Sequence, residues 1–350
     1  MSVSPFDHPF LSGLLGDEEI AEYFSAKADI RAMLTFEAAL ATVEAQHGII
    51  PSAAAAHIVD VCAGFGPDMQ SLKAATASDG VVVPDLVRQL RKAVGEEGGS
   101  HVHFGATSQD VIDTSLMMRL KAVTFLLSGR LFAVSAALSR LDERFGSNRL
   151  MGRTRMQAAI AITVSDRLRA WRHPLDQYRD RLTQEIFPLQ FGGAAGTLEK
   201  FGPKAAEIRS SLAQALGLSD EPQWQSQRAR ITELAGLLSL ISGSLGKIGQ
   251  DIALLAQAGD EIELAGGGGS SAMPHKQNPV AAETLVALAR FNAVQLSGIH
   301  HALVHEQERS GAAWTLEWLL LPPMVVATAA SLRHALQLIG MIKRLGAITE

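Results

Sequence analysis

Apolar residues recur at helical spacing along most of the 350-residue chain. The clearest pattern runs from Ser108 to Phe145, where leucine and valine return every three or four residues, without a proline and with one internal glycine. A helix of that length would measure about 55 Å at 1.5 Å per residue. Four further long patterns cover about residues 155–187, 226–258, 279–308 and 311–341.

These long patterns predict an all-α protein built as an extended helical bundle, because no strand–helix alternation indicates a parallel sheet. We expect interruptions at Pro174 and at Pro322-Pro323, where helices lose a hydrogen bond. The shorter patterns at the start predict an N-terminal helical domain over residues 1–104, and the long ones a central bundle domain over residues 105–350.

The N-terminal region has its own start and stop signals. An apolar stripe from Ile20 to Val43 predicts a helix capped by Ser25, and Ser52 is placed to cap the next helix. Val81 to Val83 is the only strand-like triplet nearby, and Pro84 opens another short helix.

Composition narrows the class of protein. A net charge of −5 without a basic run argues against nucleic-acid binding, and the single cysteine, Cys62, excludes an internal disulfide framework and fits a cytoplasmic location. We see no signal peptide and no uninterrupted apolar stretch long enough to span a bilayer. The mean hydropathy of +0.14 is high, which predicts that helix faces are also buried against other subunits.

Residues 266–279 form the segment richest in candidate chemistry, GGGGSSAMPHKQNP. Four glycines allow a mobile loop, Ser270 and Ser271 each offer a hydroxyl that could act as a base, and Lys276 and Asn278 can bind an anion. The plain alternative is a polyglycine linker, but linkers seldom carry so many functional side chains. The serines lack a Gly-x-Ser-x-Gly elbow, which disfavours a serine hydrolase.

A second segment covers residues 101–114. Thr107 and Ser108 lie at the head of the longest predicted helix, where free N–H groups and hydroxyls favour carboxylates or phosphates, or where Ser108 serves as an ordinary N-cap. His101 and His103 have the spacing of a metal pair on a strand, but no third ligand is evident. We therefore favour one histidine as an acid, a base or a hydrogen-bond donor.

A third segment, residues 152–159, contains Arg153 and Arg155, which could clamp carboxylates, and Gln157, which could add a neutral hydrogen bond. The alternative is that these arginines are surface residues at a helix start.

In a fourth segment, residues 300–309, His301 and His305 stand four apart on a predicted helix. Because the HExxH pattern is missing, a solvated or interface helix face is favoured over a metal site.

These segments, in this order, resemble the fumarase/aspartase superfamily. Residues 270–279 match its signature Ser-Ser-x-Met-Pro-x-Lys-x-Asn-Pro, and Gly-Ala-Thr-Ser-Gln-Asp at 105–110 and Gly-Arg-Thr-x-x-Gln at 152–157 look like its other shared regions. The resemblance covers nearly the whole chain. His275 points to the branch that holds adenylosuccinate lyases and 3-carboxy-cis,cis-muconate cycloisomerases. Four more segments favour the cycloisomerases, namely residues 24–40, 103–110, 191–198 and 305–318.

The resemblance implies a homotetramer in which each active site collects residues from three subunits, with a small polycarboxylate as substrate and no metal or cofactor. It implies two catalytic residues, Ser271 as base and His103 as a site histidine. The substrate-binding residues that it implies are Thr107, Ser108, Arg153, Arg155, Gln157, Ser270, Lys276, Asn278 and Arg309.

The chain also departs from the family pattern. Arg155 stands where many relatives have a histidine, and Gln157-Ala158-Ala159 replaces the common Gln-His-Ala, so a histidine acid or base is missing there. The chain ends soon after its last long pattern, so we expect the family's C-terminal helical domain to be absent.

The expected activity is conversion of 3-carboxy-cis,cis-muconate to its γ-lactone, 4-carboxymuconolactone, in protocatechuate degradation, with sulfo analogues as further candidate substrates. One alternative is a lyase of the adenylosuccinate lyase type, which releases fumarate by similar carbanion chemistry. An alternative from another class is a non-catalytic, crystallin-like helical scaffold.

Overall fold

A computed structural model describes residues 3–269 and 278–347 of the chain. The helices are α1 (Ser12–Leu15), α2 (Glu18–Glu22), α3 (Ala26–Gln46), α4 (Ser52–Gly64), α5 (Met69–Asp79), α6 (Val83–Val94), α7 (Ser108–Phe145), α8 (Val164–Gln184), α9 (Ala205–Leu216), α10 (Ala229–Ala258), α11 (Val280–His301) and α12 (Gly311–Gly340). The strands are β1 (Arg149–Thr154), β2 (Gln157–Thr163), β3 (Ile262–Leu264) and β4 (Ile342–Leu345).

Four long helices, α7, α10, α11 and α12, make the bundle, so the predicted helical fold is confirmed. Helix α10 packs on α11 and α12, and α7 packs on α8 and α12. Gly249 permits the close α10–α11 contact, because a Cβ there would lie 2.7 Å from the carbonyl oxygen of Ala282. The two small antiparallel sheets, β1–β2 and β3–β4, were not predicted.

Helix α7 begins and ends at the predicted residues, but its cap differs from the expectation. Thr107, not Ser108, is the N-cap, and Asp110 completes a capping box by accepting the Thr107 backbone N–H at 3.0 Å. Ser25 caps α3 as predicted, accepting the N–H of Ala28, whereas Pro51 rather than Ser52 precedes α4.

The predicted helix over 155–187 is wrong at its start, because residues 149–163 form the β1–β2 hairpin and α8 begins only at Val164. Arg155 and Met156 occupy the turn with φ values of 46° and 68°. Two consecutive left-handed residues cannot continue a right-handed helix, and they match the turn that joins twisted strands.

Three smaller expectations are also wrong. Val83 starts α6, with Pro84 in its first turn, so the valine triplet is not a strand. Helix α8 continues through Pro174, and α12 through Pro322-Pro323. Buried neighbours on both sides of Pro174, Trp171 and Leu175, hold α8 in place despite the lost hydrogen bond.

The buried apolar residues form two large clusters. One joins α7 from Leu116 onward to α8, α10, α11 and α12. The other joins α3, α4 and α6 to Val111 and Ile112 of α7 and to the segment from Leu189 to Ala213. The division at residue 104 stays a prediction, since the second cluster uses residues from both sides of it.

Three helices, α7, α10 and α12, are long and apolar enough to cross a membrane by length and composition, which contradicts the expectation that no stretch is. Their most apolar windows are 44%, 61% and 61% buried inside the chain. A bundle explains this composition, because helices that pack on several sides need apolar residues around most of their circumference.

Candidate active site

The loop that leads into α7 holds the first predicted site residues. Its backbone is fixed by Phe104, whose ring packs edge-on against Phe201 with centroids 5.9 Å apart. Gly105 has φ 66°, and a Cβ there would lie 2.5 Å from the Phe201 ring, so the close approach requires glycine. His103 itself has φ 61°, in the left-handed region that few non-glycine residues adopt.

His103 is bound to a carboxylate from the N-terminal helices. Its Nδ1 lies 2.6 Å from Glu37 Oε1 on α3, and the Glu37 side chain is almost fully buried. Burial of the ring lowers the pKa of His103, but the charge and hydrogen bond of Glu37 more than offset this and raise it above its ordinary value. The sequence did not single out Glu37, although a glutamate on the apolar face of α3 was a usable signal.

The expected histidine pair is not on a strand, since His101 ends a short 3-10 segment, Gly99–His101, and His103 follows in a turn. Over residues 3–269 and 278–347, no group of three potential ligand side chains could hold a metal ion. His305 also lies off the helix on which it was placed, because α11 ends at His301.

Asp110 organises the N-terminus of α7. Its fully buried carboxylate accepts backbone N–H groups from Thr107 at 3.0 Å, Gly192 at 2.8 Å and Gly193 at 2.9 Å, and the Gln190 side-chain amide at 3.1 Å. Burial raises the pKa of Asp110 to about 6, although the backbone and side-chain hydrogen bonds act to lower it. The Asp110 carboxylate thereby links residues 190–193, which follow α8, to the start of α7.

Arg309 reaches the same helix terminus from the far end of the chain. Its Nη2 donates to Thr107 Oγ1 at 3.0 Å and to the Ala194 carbonyl at 3.3 Å, and its Nε donates to Gln109 Oε1 at 3.2 Å. Thr107 and Arg309 are 202 positions apart, and the structure brings them together. Ser108 and Arg309 line a cavity of about 830 Å³.

A buried ionic cluster lies behind this terminus. Arg228 is paired with Asp113 Oδ2 on α7 and with Glu317 Oε2 on α12, each at 2.5 Å, and Trp314 Nε1 donates to Asp113 at 3.0 Å. All three charged side chains are at most 2% exposed. The sequence missed this cluster, because each member falls within a helical pattern or beside one and nothing local links them.

The β1–β2 hairpin carries the second group of predicted residues. Arg153 forms an ion pair with Glu261, and Arg153 and Arg155 line a cavity of about 1010 Å³ together with Lys247. Gln157 is exposed and pairs with Thr154 in the strand ladder. These residues lie on a hairpin tip, not at a helix start.

The third group belongs to the glycine-rich loop. Ser270, Ser271 and Lys276 lie outside the described residues. At the base of the loop, Asn278 and Gly268 exchange backbone hydrogen bonds, both at 2.9 Å. Pro279 directly precedes α11, and Asn278 lines a cavity of about 500 Å³.

Within one chain, five of the described site residues thus line three cavities on different elements. Ser108 and Arg309 share one, Arg153 and Arg155 share another, and Asn278 lines the third.

Comparison with known proteins identifies the family. A family model described as a lyase matches residues 15–293. The 3-carboxy-cis,cis-muconate cycloisomerase of Pseudomonas aeruginosa is 38% identical over 327 residues, which cover 90% of this chain and 71% of that protein. The crystal structure of the 3-carboxy-cis,cis-muconate lactonizing enzyme from Pseudomonas putida superposes with a TM-score of 0.89 at 35% identity, covering 96% of this chain and 77% of that one.

A fumarate lyase structure from Mesorhizobium sp. BNC1 is also similar, with a TM-score of 0.87 at 30% identity over 94% of this chain and 76% of that one. The chain therefore belongs to the lyase family, the fumarase/aspartase superfamily that its segments resemble, and within it is similar to the 3-carboxy-cis,cis-muconate cycloisomerases.

Proposed function

We propose that the protein is a cycloisomerase that closes 3-carboxy-cis,cis-muconate to its γ-lactone. The observation that carries the proposal is the contact of Arg309 with Thr107 at the N-terminus of α7, in a chain 38% identical to an enzyme of that name. A guanidinium beside a helix N-terminus is suited to bind a substrate carboxylate, since both the cation and the free N–H groups attract an anion.

The reaction requires one substrate carboxylate to add to a carbon–carbon double bond. A C–O bond forms, and the π electrons move to the carbon next to another carboxylate, which becomes an aci-carboxylate. Lys276 and Asn278, with Arg155, are proposed to stabilise that charge, and a proton from Ser271 or His103 completes the new C–H bond. The substrate carboxylate is itself the electron sink, so the proposal includes no metal or organic cofactor.

The proposed assembly is a homotetramer whose active sites use residues of three subunits. Large apolar side chains are exposed on the long helices of the single chain, with Phe125 79%, Phe132 59%, Val294 69% and Leu319 67% exposed. Covering them in a subunit interface would remove the apolar surface from water. The distribution of predicted site residues over three cavities supports the same arrangement.

The test is the ultraviolet absorbance of 3-carboxymuconate with the purified protein. Lactonisation removes the conjugated diene, so we expect its absorbance to fall with multiple turnovers. An unchanged diene spectrum at high enzyme concentration would reject the cycloisomerase, and release of fumarate from adenylosuccinate would support the lyase alternative. A folded protein with no turnover of either compound and no bound polycarboxylate would favour the scaffold.

A sulfo analogue is the second candidate substrate, because Arg155 places a permanent cation where many relatives are expected to have a histidine. A guanidinium binds a sulfonate as well as a carboxylate, since the tetrahedral sulfonate and the planar carboxylate each offer two anionic oxygens on one atom that accept from its paired N–H donors. Parallel kinetics on 3-carboxymuconate and 3-sulfomuconate separate the two, the higher kcat/KM identifying the preferred substrate.

We also propose that the protein works in the cytoplasm, without nucleic-acid or membrane partners. The single cysteine, Cys62, is buried, and burial raises the pKa of its thiol to about 12, with the nearby Glu37 charge adding to the effect. A buried, neutral thiol is unreactive, and a single cysteine cannot form an internal disulfide. Both features fit a reducing compartment.

A further inference from the structure

We propose that Glu37 is a positioning residue that holds the His103 imidazole with Nδ1 protonated, so that Nε2 delivers the proton to the reacting carbon. The inference rests on the proposed lactonisation and assigns its proton donor. Ser271 then serves in substrate binding or in the return of the proton, and the histidines missing near Arg155 are not needed.

The geometry leaves one ring nitrogen free. Nδ1 of His103 is 2.6 Å from Glu37 Oε1, while Nε2 makes no hydrogen bond to any residue in the described ranges and is not sealed from solvent. The His103 side chain is 12% exposed, whereas that of Glu37 is 1% exposed. The carboxylate therefore holds the buried edge of the ring, and the outer edge is available to a ligand.

The loop around His103 is held by contacts on both sides, which keep the ring beside Glu37. Arg91 donates to the Val102 carbonyl at 3.0 Å on one side, and the Phe104 ring packs on Phe201 on the other. His103 has φ 61°, a conformation that costs free energy unless its surroundings impose it. Backbone strain of this kind is found at functional sites, where a side chain must keep one orientation.

The proton balance is complete without another reactant. The imidazolium loses its Nε2 proton to the carbon that carries the negative charge, a C–H bond forms, and the imidazole stays neutral with its Nδ1–H donated to Glu37. The groups that face His103 from the packed elements are Glu37 on α3, Asp110 on α7 and Arg91 on α6. Two of these are carboxylates, which favour the protonated ring before the reaction.

A matched control lies on the same helix. Glu44 is seven residues after Glu37, so it faces the same side of α3, and it is fully buried without a hydrogen bond to any described residue. It does not contact the imidazole, which makes Glu44→Gln the appropriate comparison for Glu37→Gln.

The first measurement needs no substrate. Diethylpyrocarbonate modifies neutral imidazole, and mass spectrometry of the His103 peptide gives its rate as a function of pH. We expect the midpoint for intact wild-type protein to lie above that of a synthetic peptide of residues 102–107. Glu37→Gln should shift it to lower pH, and Glu44→Gln should leave it in place. A wild-type midpoint at or below that of the peptide, or no shift in folded Glu37→Gln, overturns the proposal.

The second measurement is kinetic. Glu37→Gln should lower kcat at least about tenfold, a part of the roughly 10²–10⁴-fold that a positioned acid contributes, with a smaller change in KM. The limb of the pH profile assigned to His103 should move to lower pH. An unchanged kcat and profile overturn the positioning role. If wild-type protein does not convert 3-carboxymuconate, the proposed function fails, while the modification experiment still decides whether Glu37 controls His103.

Discussion

At the scale of single residues, the geometry of the candidate site depends on buried polar groups that local sequence does not reveal. Asp110 looks like an ordinary first-turn acid, and it does complete a capping box, yet its carboxylate also accepts the N–H groups of Gly192 and Gly193. A local pattern identifies the first role because the partners are three residues apart. The second role joins residues some eighty positions apart and needs the folded chain.

Glu44 should make the stability of the protein depend on pH. Burial, with the nearby charge of Glu37 adding to it, raises the pKa of Glu44 from 4.5 to about 9. Between those values the folded state keeps a proton that the unfolded state has lost, so the free energy of unfolding falls as pH rises. Gln cannot ionise and has nearly the same shape.

We therefore expect Glu44→Gln to raise Tm relative to wild type by more at pH 8 than at pH 5, by about 1–2 °C for each kcal/mol regained in a chain of 350 residues. Differential scanning calorimetry at both pH values measures this. An equal difference at the two pH values would mean that Glu44 is ionised in the folded protein.

At the scale of elements, the turn of the β1–β2 hairpin combines two demands, a left-handed backbone conformation and a candidate anion-binding side chain. The turn places Arg155 and Met156 at positive φ, where asparagine and glycine are favoured. Both residues line the cavity that Lys247 also lines, and Arg155 brings a cation to it, whereas Met156 is 73% exposed and its side chain makes no hydrogen bond to a described residue.

Met156→Gly should accordingly stabilise the hairpin by about 0.5–1 kcal/mol, because glycine adopts φ 68° without steric cost. Chemical denaturation at fixed pH reads out the change. Met156→Ala, which keeps the strain and removes the long side chain, is the control. Equal stabilities of the glycine and alanine variants would show that the turn is not strained.

At the scale of the whole molecule, the exposed faces of the long helices are the surfaces on which the proposed tetramer depends. Phe125 and Phe132 are seven residues apart on the exposed face of α7, with 79% and 59% of their surface in water in the single chain. Apolar side chains of this size at such spacing mark an interface between helices.

The double variant Phe125→Glu, Phe132→Glu should dissociate the proposed tetramer, because it would bury unpaired charges, and should abolish activity by separating the shared sites. Light scattering with size-exclusion chromatography measures the mass. The control is Phe10→Glu, which alters an equally exposed phenylalanine outside the long helices. A double variant that keeps the wild-type mass and turnover would contradict the shared-site arrangement.

The sequence by itself determined the long helices and the family, since apolar periodicity and the signature segments each depend only on residues that are close together in the chain. Helix α7 starts and ends where the pattern predicts, because its hydrogen bonds and cap join residues only three or four positions apart. Local pattern failed at the Arg155 turn and at the prolines inside α8 and α12, where packing decides the conformation.

Only the tertiary structure placed Arg309 on Thr107, Glu37 on His103, and Arg228 between two helices. Each contact joins residues more than sixty positions apart, so no local preference specifies it. Burial strengthens the Glu37 and Arg228 contacts, because a charge removed from water is stable only beside its partner.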